Sequence, residues 1–143
     1  MSAHVEEVER YVLDACALIA YLNDEPGAED VEDLLMLARQ GQARLYVAAV
    51  NAYEIFYDCL KRDAATARQL VDDVYGLPLT VVEVLDRTLM ERAGSFKVAY
   101  SVSLADSVAL GLAQQLKARL VSCDHHEFDP IDRDSRAQFQ WIR

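Results

Sequence analysis

Residues Tyr11 to Leu22 read YVLDACALIAYL, and Asp14 is the only charged residue among them. Arg10–Asp14 has the apolar character of a short buried strand, and Ala15–Leu22 that of a helix entered with no intervening loop. A strand feeding straight into a helix is the opening of an α/β unit. It also leaves a carboxylate at a strand end between two apolar flanks. Burying such a group uncompensated costs several kcal/mol. A residue of this kind is paired, protonated or bound to a cation.

The same pattern recurs. Glu54 lies in AAVNAYEIFY, Asp106 in SLADSVALGLA, and Asp124 ends the apolar run RLVSCD. Apart from Arg119, none of these windows contains Lys or Arg. Between the acids the chain alternates strands and helices. Pro26 suits the first turn of a helix with Ala28, Val31, Leu34, Leu35 and Ala38 on its apolar face, closed by Gly41. A strand at Arg44–Ala48 precedes helices at Ala49–Arg62 and Ala64–Tyr75. Gly76-Leu77-Pro78 is a turn into a strand at Leu79–Val84. Asp86 is a candidate N-cap for a helix reaching about Tyr100. A helix at Ser103–Ala118, a strand at Arg119–Ser122 and a last edge strand within Gln138–Ile142 complete the pattern.

This alternation predicts a single α/β domain spanning residues 1–143, a three-layer α/β/α, Rossmann-like fold around a central parallel sheet with right-handed crossovers. Sites in such sheets form beyond the carboxyl ends of the strands, near the switch in strand order. Asp14 and Asp124 fall at strand ends, Glu54 early in the helix after the second strand, and Asp106 in the first turn of a helix. Acids separated by 40, 52 and 18 positions are thereby expected to share one pocket. Carboxylates without histidine suit Mg²⁺ or Mn²⁺ better than Zn²⁺. Such an ion activates water and offsets charge on a phosphoryl oxygen, so a phosphodiester is the matching substrate. Three of the acids have a ready structural alternative, whereas Asp14 is apolar on both flanks. Asp106 can serve the Ser103 cap, Glu54 can bond a neighbouring helix, and Asp124 can open a turn.

Composition bounds the remaining classes. With 143 residues, 52% of them apolar, the chain has an ordinary core. The longest uninterrupted apolar run, Ala15 to Leu22, is too short for a membrane span, and MSAHVEEVER is no signal peptide. A net charge of −10 argues against a broad nucleic-acid surface. The run from Asp24 to Asp33 reads as a solvated helix face. Three cysteines, Cys16, Cys59 and Cys123, predict reduced thiols in a cytoplasmic protein, although Cys16 and Cys123 approach each other if their strands are neighbours. Cys123, Asp124, His125 and His126 match no common zinc spacing. Tyr53, Phe56, Tyr57 and Tyr100 read mainly as core residues, with base stacking the alternative. Arg62, Arg68, Arg87, Arg92 and Lys97 are the candidate phosphate contacts.

Together YVLDACAL, AAVNAYEIFY, SLADSVAL and RLVSCDHHEFDPI resemble the PIN-domain family, most closely its VapC-type toxins of VapBC toxin–antitoxin pairs. The resemblance runs from Tyr11 to about Pro130. It implies an Mg²⁺- or Mn²⁺-dependent endoribonuclease whose carboxylates are Asp14, Glu54, Asp106 and Asp124, with Glu127 or Asp129 as a possible fifth. It also implies an RNA substrate, a VapB-type antitoxin partner and a homodimer, for which the helices Ala15–Leu22 and Ala49–Leu60 are docking candidates if they are not simply core. Ser103 would orient substrate or Asp106. Cys16 departs from the Ser, Thr or Asn usual at its position. The alternatives are a catalytically inactive PIN-fold scaffold and a receiver-like Mg²⁺-binding signalling domain; for the latter no Lys follows a late strand. Cys16 excludes the usual DxD phosphatase.

Overall fold

The computed structural model describes residues 7–143; the reading of the first residues as no signal peptide falls largely on residues 1–6, outside them. The elements run β1 (Glu9–Leu13), α1 (Ala15–Leu22), α2 (Ala28–Arg39), β2 (Ala43–Ala48), α3 (Ala49–Leu60), α4 (Ala64–Tyr75) and β3 (Thr80–Val82). They continue with α5 (Arg87–Ala99), α6 (Leu104–Leu116), β4 (Arg119–Ser122), α7 (His125–Arg133) and β5 (Phe139–Trp141). The five strands form one sheet in the order β3-β2-β1-β4-β5, and every pairing is parallel.

Alternation along the strands splits the interior into two cores, one per face of the sheet. Val12, Ala48 and Leu120 pack with Leu89, Phe96, Leu110, Phe128 and Ile131 of α5, α6 and α7. Their neighbours Leu13, Val47 and Val121 pack with Leu18, Leu35, Ile55 and Val74 of α1 to α4. Strands covered on both faces explain why Tyr11–Leu13 of β1 and Leu120–Val121 of β4 are apolar without alternation. Helix α3 touches both layers, since Val50 joins the first core and Ile55 the second.

Short polar residues fix the helix starts. Asp14, Asp63, Asp86, Ser103 and Asp124 each accept a backbone N–H from the first turn they cap. Gly41 closes α2 with φ +73°, in the left-handed region. Gly111 lets α6 approach α5, because a Cβ there would lie 2.7 Å from the Ala93 nitrogen.

Three expectations need correction. Pro26 precedes α2 by two residues instead of sitting in its first turn. Strand β3 is only Thr80–Val82; it is an edge strand, and Val84 and Leu85 lie exposed beyond it. Helix α7 was not expected. It is short and polar with Pro130 inside, and only Phe128 and Ile131 are buried, so its apolar signal is two residues three apart. The Asp124–Glu127 cap spacing is the cue that marks it.

Candidate active site at the carboxyl ends of β1 and β4

In the strand order, β1 is followed on one side by β2 and β3 and on the other by β4 and β5, so the switch in order lies between β1 and β4. Leu13 is in register with Val121, which sets the residues after them side by side. Asp14 follows Leu13 directly and is only 1% exposed. Its Oδ1 accepts the Ala17 N–H at 2.8 Å and its Oδ2 accepts the Ser122 hydroxyl at 2.5 Å. The same hydroxyl accepts the Asp124 N–H at 3.0 Å, so one serine joins the two acid-bearing segments. Asp124 Oδ1 in turn accepts the Glu127 N–H at 3.2 Å as the cap of α7.

Electrostatics bring the remaining acids into the same neighbourhood. Burial pushes the Asp14 carboxyl up to about 7; the Ser122 and Ala17 hydrogen bonds oppose this, and the negative charges of Asp106 and Asp124 add to it. Burial likewise raises Asp106 to about 6, opposed by the Ser103 hydroxyl and reinforced by Asp124, Glu54 and Glu127. Glu54, half-buried, is raised by burial. The four acids anticipated from sequence therefore act on one another at one end of the sheet. Glu127 joins their field, whereas Asp129 is exposed and bonded to His125 Nδ1 at 2.7 Å. Ser103 caps α6 through the Asp106 N–H at 3.1 Å, a bond that uses the Asp106 backbone rather than its carboxylate.

Three buried polar residues were not anticipated, Asn51, Ser107 and Ser122, and two of them bond to the acid-bearing segments. Ser122 is fully buried, and its signal was a hydroxyl directly after the apolar pair Leu120–Val121 and two residues before an acid. Asn51, one turn before Glu54 on α3, is also fully buried, and its side-chain amide donates to the Ala105 carbonyl at 3.4 Å, next to Asp106.

The reduced-thiol expectation is overturned for two of the three cysteines. Cys16 and Cys123 form a disulfide with their Cα atoms 5.9 Å apart, while Cys59 is free and buried. The adjacency of β1 and β4 brings the two residues into bonding range. The expectation of core burial fails for Tyr53 and Tyr57, which stand 58% and 42% exposed with their rings edge to face at 5.2 Å. Most of the basic candidates are engaged locally. Arg62 pairs with Asp58, Arg87 with Glu91, Arg92 bonds Gln114, and Lys97 donates to the Val102 carbonyl.

Among the described residues, no group of three or more His, Cys, Asp or Glu side chains stands ready to enclose an ion. The donor chemistry nevertheless fits a hard divalent cation. The cluster offers carboxylate oxygens only, and among the described residues no ion pair to Lys, Arg or His involves Asp14, Glu54, Asp106 or Asp124. A cation would relieve the mutual repulsion that adds to burial in raising Asp14 and Asp106.

The model of the PIN domain family matches residues 11–134. The chain belongs to the PIN-domain family. This PIN domain has no significant match among curated proteins. Among solved structures it resembles VapBC2 from Rickettsia felis bound to a DNA fragment from their promoter, at 13% identity and TM-score 0.73, over 94% of this chain and 99% of that one. VapBC-1 from nontypeable Haemophilus influenzae gives 17% identity and TM-score 0.69, over 93% and 98% of the two chains. DNA-bound VapBC from Salmonella typhimurium gives 15% and 0.69, over 95% and 100%. At such identities the likeness establishes the fold. The family match and the strand order rule out the receiver-like alternative, whose doubly wound order is 2-1-3-4-5.

Proposed function

We propose that this PIN domain is a metal-dependent endoribonuclease, the toxin of a VapBC-type pair, with Asp14, Glu54, Asp106 and Asp124 as its site and Mg²⁺ or Mn²⁺ as its cofactor. The observation that carries the reading is the buried Asp14 at the switch point, held beside Asp124 through Ser122 and raised chiefly by burial, with the charges of Asp106 and Asp124 adding to it. A solvated or purely capping set of acids would not be built around a buried carboxylate lacking a cationic partner. The likeness to VapBC structures supports pairing with a VapB-type antitoxin; an RNA substrate, a homodimer and a cytoplasmic location belong to the same proposal.

Asp14, Asp106 and Asp124 would hold the cation, which when bound would lower the pKa of water and offset charge on the scissile phosphate. The Ser122 hydroxyl fixes the Asp14 carboxylate and the Asp124 backbone together, so two ligands from distant segments keep one geometry. Glu54, raised by burial and half-open to solvent, accepts the proton of the attacking water. The caps at Ser103 and Asp124 orient the first turns of α6 and α7 that carry Asp106 and Glu127.

The test is cleavage of a mixed RNA pool by purified protein with Mg²⁺, Mn²⁺ or EDTA, alongside Asp14→Asn. Cleavage by the wild type that EDTA and the substitution both abolish is expected. Full activity of a folded Asp14→Asn sample refutes the site, and absence of metal-dependent cleavage by the wild type leaves an inactive scaffold as the reading.

A further inference from the structure

We propose that the Cys16–Cys123 bridge is a reversible redox site that sets the metal affinity of the acid cluster, an inference that rests on the functional reading above. The bridge joins the residue two positions after Asp14 to the residue immediately before Asp124. It therefore ties the same two segments that the Ser122 hydroxyl links non-covalently. Cys16 lies in the first turn of α1, whose start Asp14 caps, and Cys123 sits between β4 and α7, whose start Asp124 caps. The two cysteines are 107 positions apart in sequence, and their bond cross-links the two strand ends.

Physical consequences follow from that placement. Both cysteines are half-buried rather than sealed in the core, unlike Cys59. Cys16 also lines a surface cleft together with Glu54. A small dithiol or disulfide reagent thus has a path to the bridge. Closing it removes relative motion between the Asp14 and Asp124 segments before a cation arrives, so binding loses less freedom. In the dithiol form only hydrogen bonds hold them. The bridged form consequently binds the cation more tightly.

The chemistry balances with a low-molecular-weight disulfide as oxidant. The two thiols lose two protons and two electrons and form one S–S bond. Oxidised glutathione takes them up through a mixed disulfide and leaves as two molecules of the reduced thiol. Linkage makes the effect reciprocal: if bridging tightens Mn²⁺ binding tenfold, saturating Mn²⁺ favours the bridge tenfold. For this two-electron couple a factor of ten shifts the midpoint by about 30 mV toward more reducing values.

The experiment uses the full chain equilibrated anaerobically in glutathione buffers, with and without Mn²⁺. The bridged fraction is read by thiol alkylation and mass spectrometry. Mn²⁺ affinity of the oxidised and reduced forms is read by calorimetry, and Cys16→Ser with Cys123→Ser serves as a redox-blind control. About tenfold tighter Mn²⁺ binding by the bridged wild type is expected, with the matching midpoint shift and a control indifferent to the buffer. Equal Mn²⁺ affinity in both forms, or tighter binding by the dithiol, overturns the coupling. Failure of both forms to bind Mn²⁺ instead overturns the metal-site reading beneath it, so the two failures are distinct.

Discussion

Replacing Asp14 with Asn should stabilise the metal-free protein at neutral pH. The Asp14 carboxyl is raised from 3.8 to about 7, chiefly by burial. Between those values the folded protein holds a proton that the unfolded chain has released. Stability therefore falls as pH rises through this window and the penalty is complete above about pH 7. At about 1.36 kcal/mol per unit, the ionised carboxylate costs the fold about 4 kcal/mol. The Asn amide, neutral like the protonated carboxyl, keeps an acceptor for the Ala17 N–H and a donor toward Ser122, and the hydrogen bonds that favour the charged form are already counted in the raised value. The gain is up to about 4 kcal/mol, or roughly 12 °C in Tm for a chain of this size. At pH 5 the ionisation penalty shrinks to under about 2 kcal/mol, and the advantage of the variant shrinks with it. Thermal and denaturant unfolding in EDTA at pH 5 and 7.5 measure the difference; Mn²⁺ at pH 7.5 should then stabilise the wild type and not the variant. A variant less stable by the same amount at both pH values would refute the account of a buried, unpartnered charge.

Other outcomes follow from the same geometry. Ser122→Ala removes the donor to the Asp14 Oδ2 and the acceptor for the Asp124 N–H, and should cost about 2 kcal/mol in urea unfolding. It should also raise the Asp14 pKa further, since that hydrogen bond holds it down, which NMR titration of the carboxyl reads. Gly111→Ala sets a Cβ against the Ala93 backbone and should cost about 1–3 kcal/mol by forcing α6 from α5, measured as a lowered denaturation midpoint. Glu54→Gln should lower the cleavage rate about 10²-fold or more while leaving Mn²⁺ affinity within a few-fold; an unchanged rate would remove Glu54 from the proton-transfer role.

The local elements were readable because their signals are local. Asp86 and Ser103 at helix starts, Gly41 at a helix end and the apolar run of β1 each act within a few residues, and the structure places them as expected. Where local signal was weak, sequence fell short. Helix α7 has two buried residues, and β3 is an edge strand of three. Tyr53 and Tyr57 have the helical spacing of core residues, and only packing decides which side of α3 faces water.

The acids are a mixed case. Their misplaced charge in apolar runs was visible at once, because desolvation makes an unpaired carboxylate anomalous wherever the chain goes. What held them was not visible. The Ser122 hydroxyl shared by Asp14 and Asp124, the Asn51 bond to the turn beside Asp106, and the Cys16–Cys123 bridge all join residues at least 54 positions apart or depend on one that does. Those partnerships exist because β4 inserts beside β1, and strand order is set by how all the helices pack across both faces. Sequence alone thus determined that the chain builds an α/β domain with charges it must neutralise; the tertiary structure alone decided which atoms stand next to them.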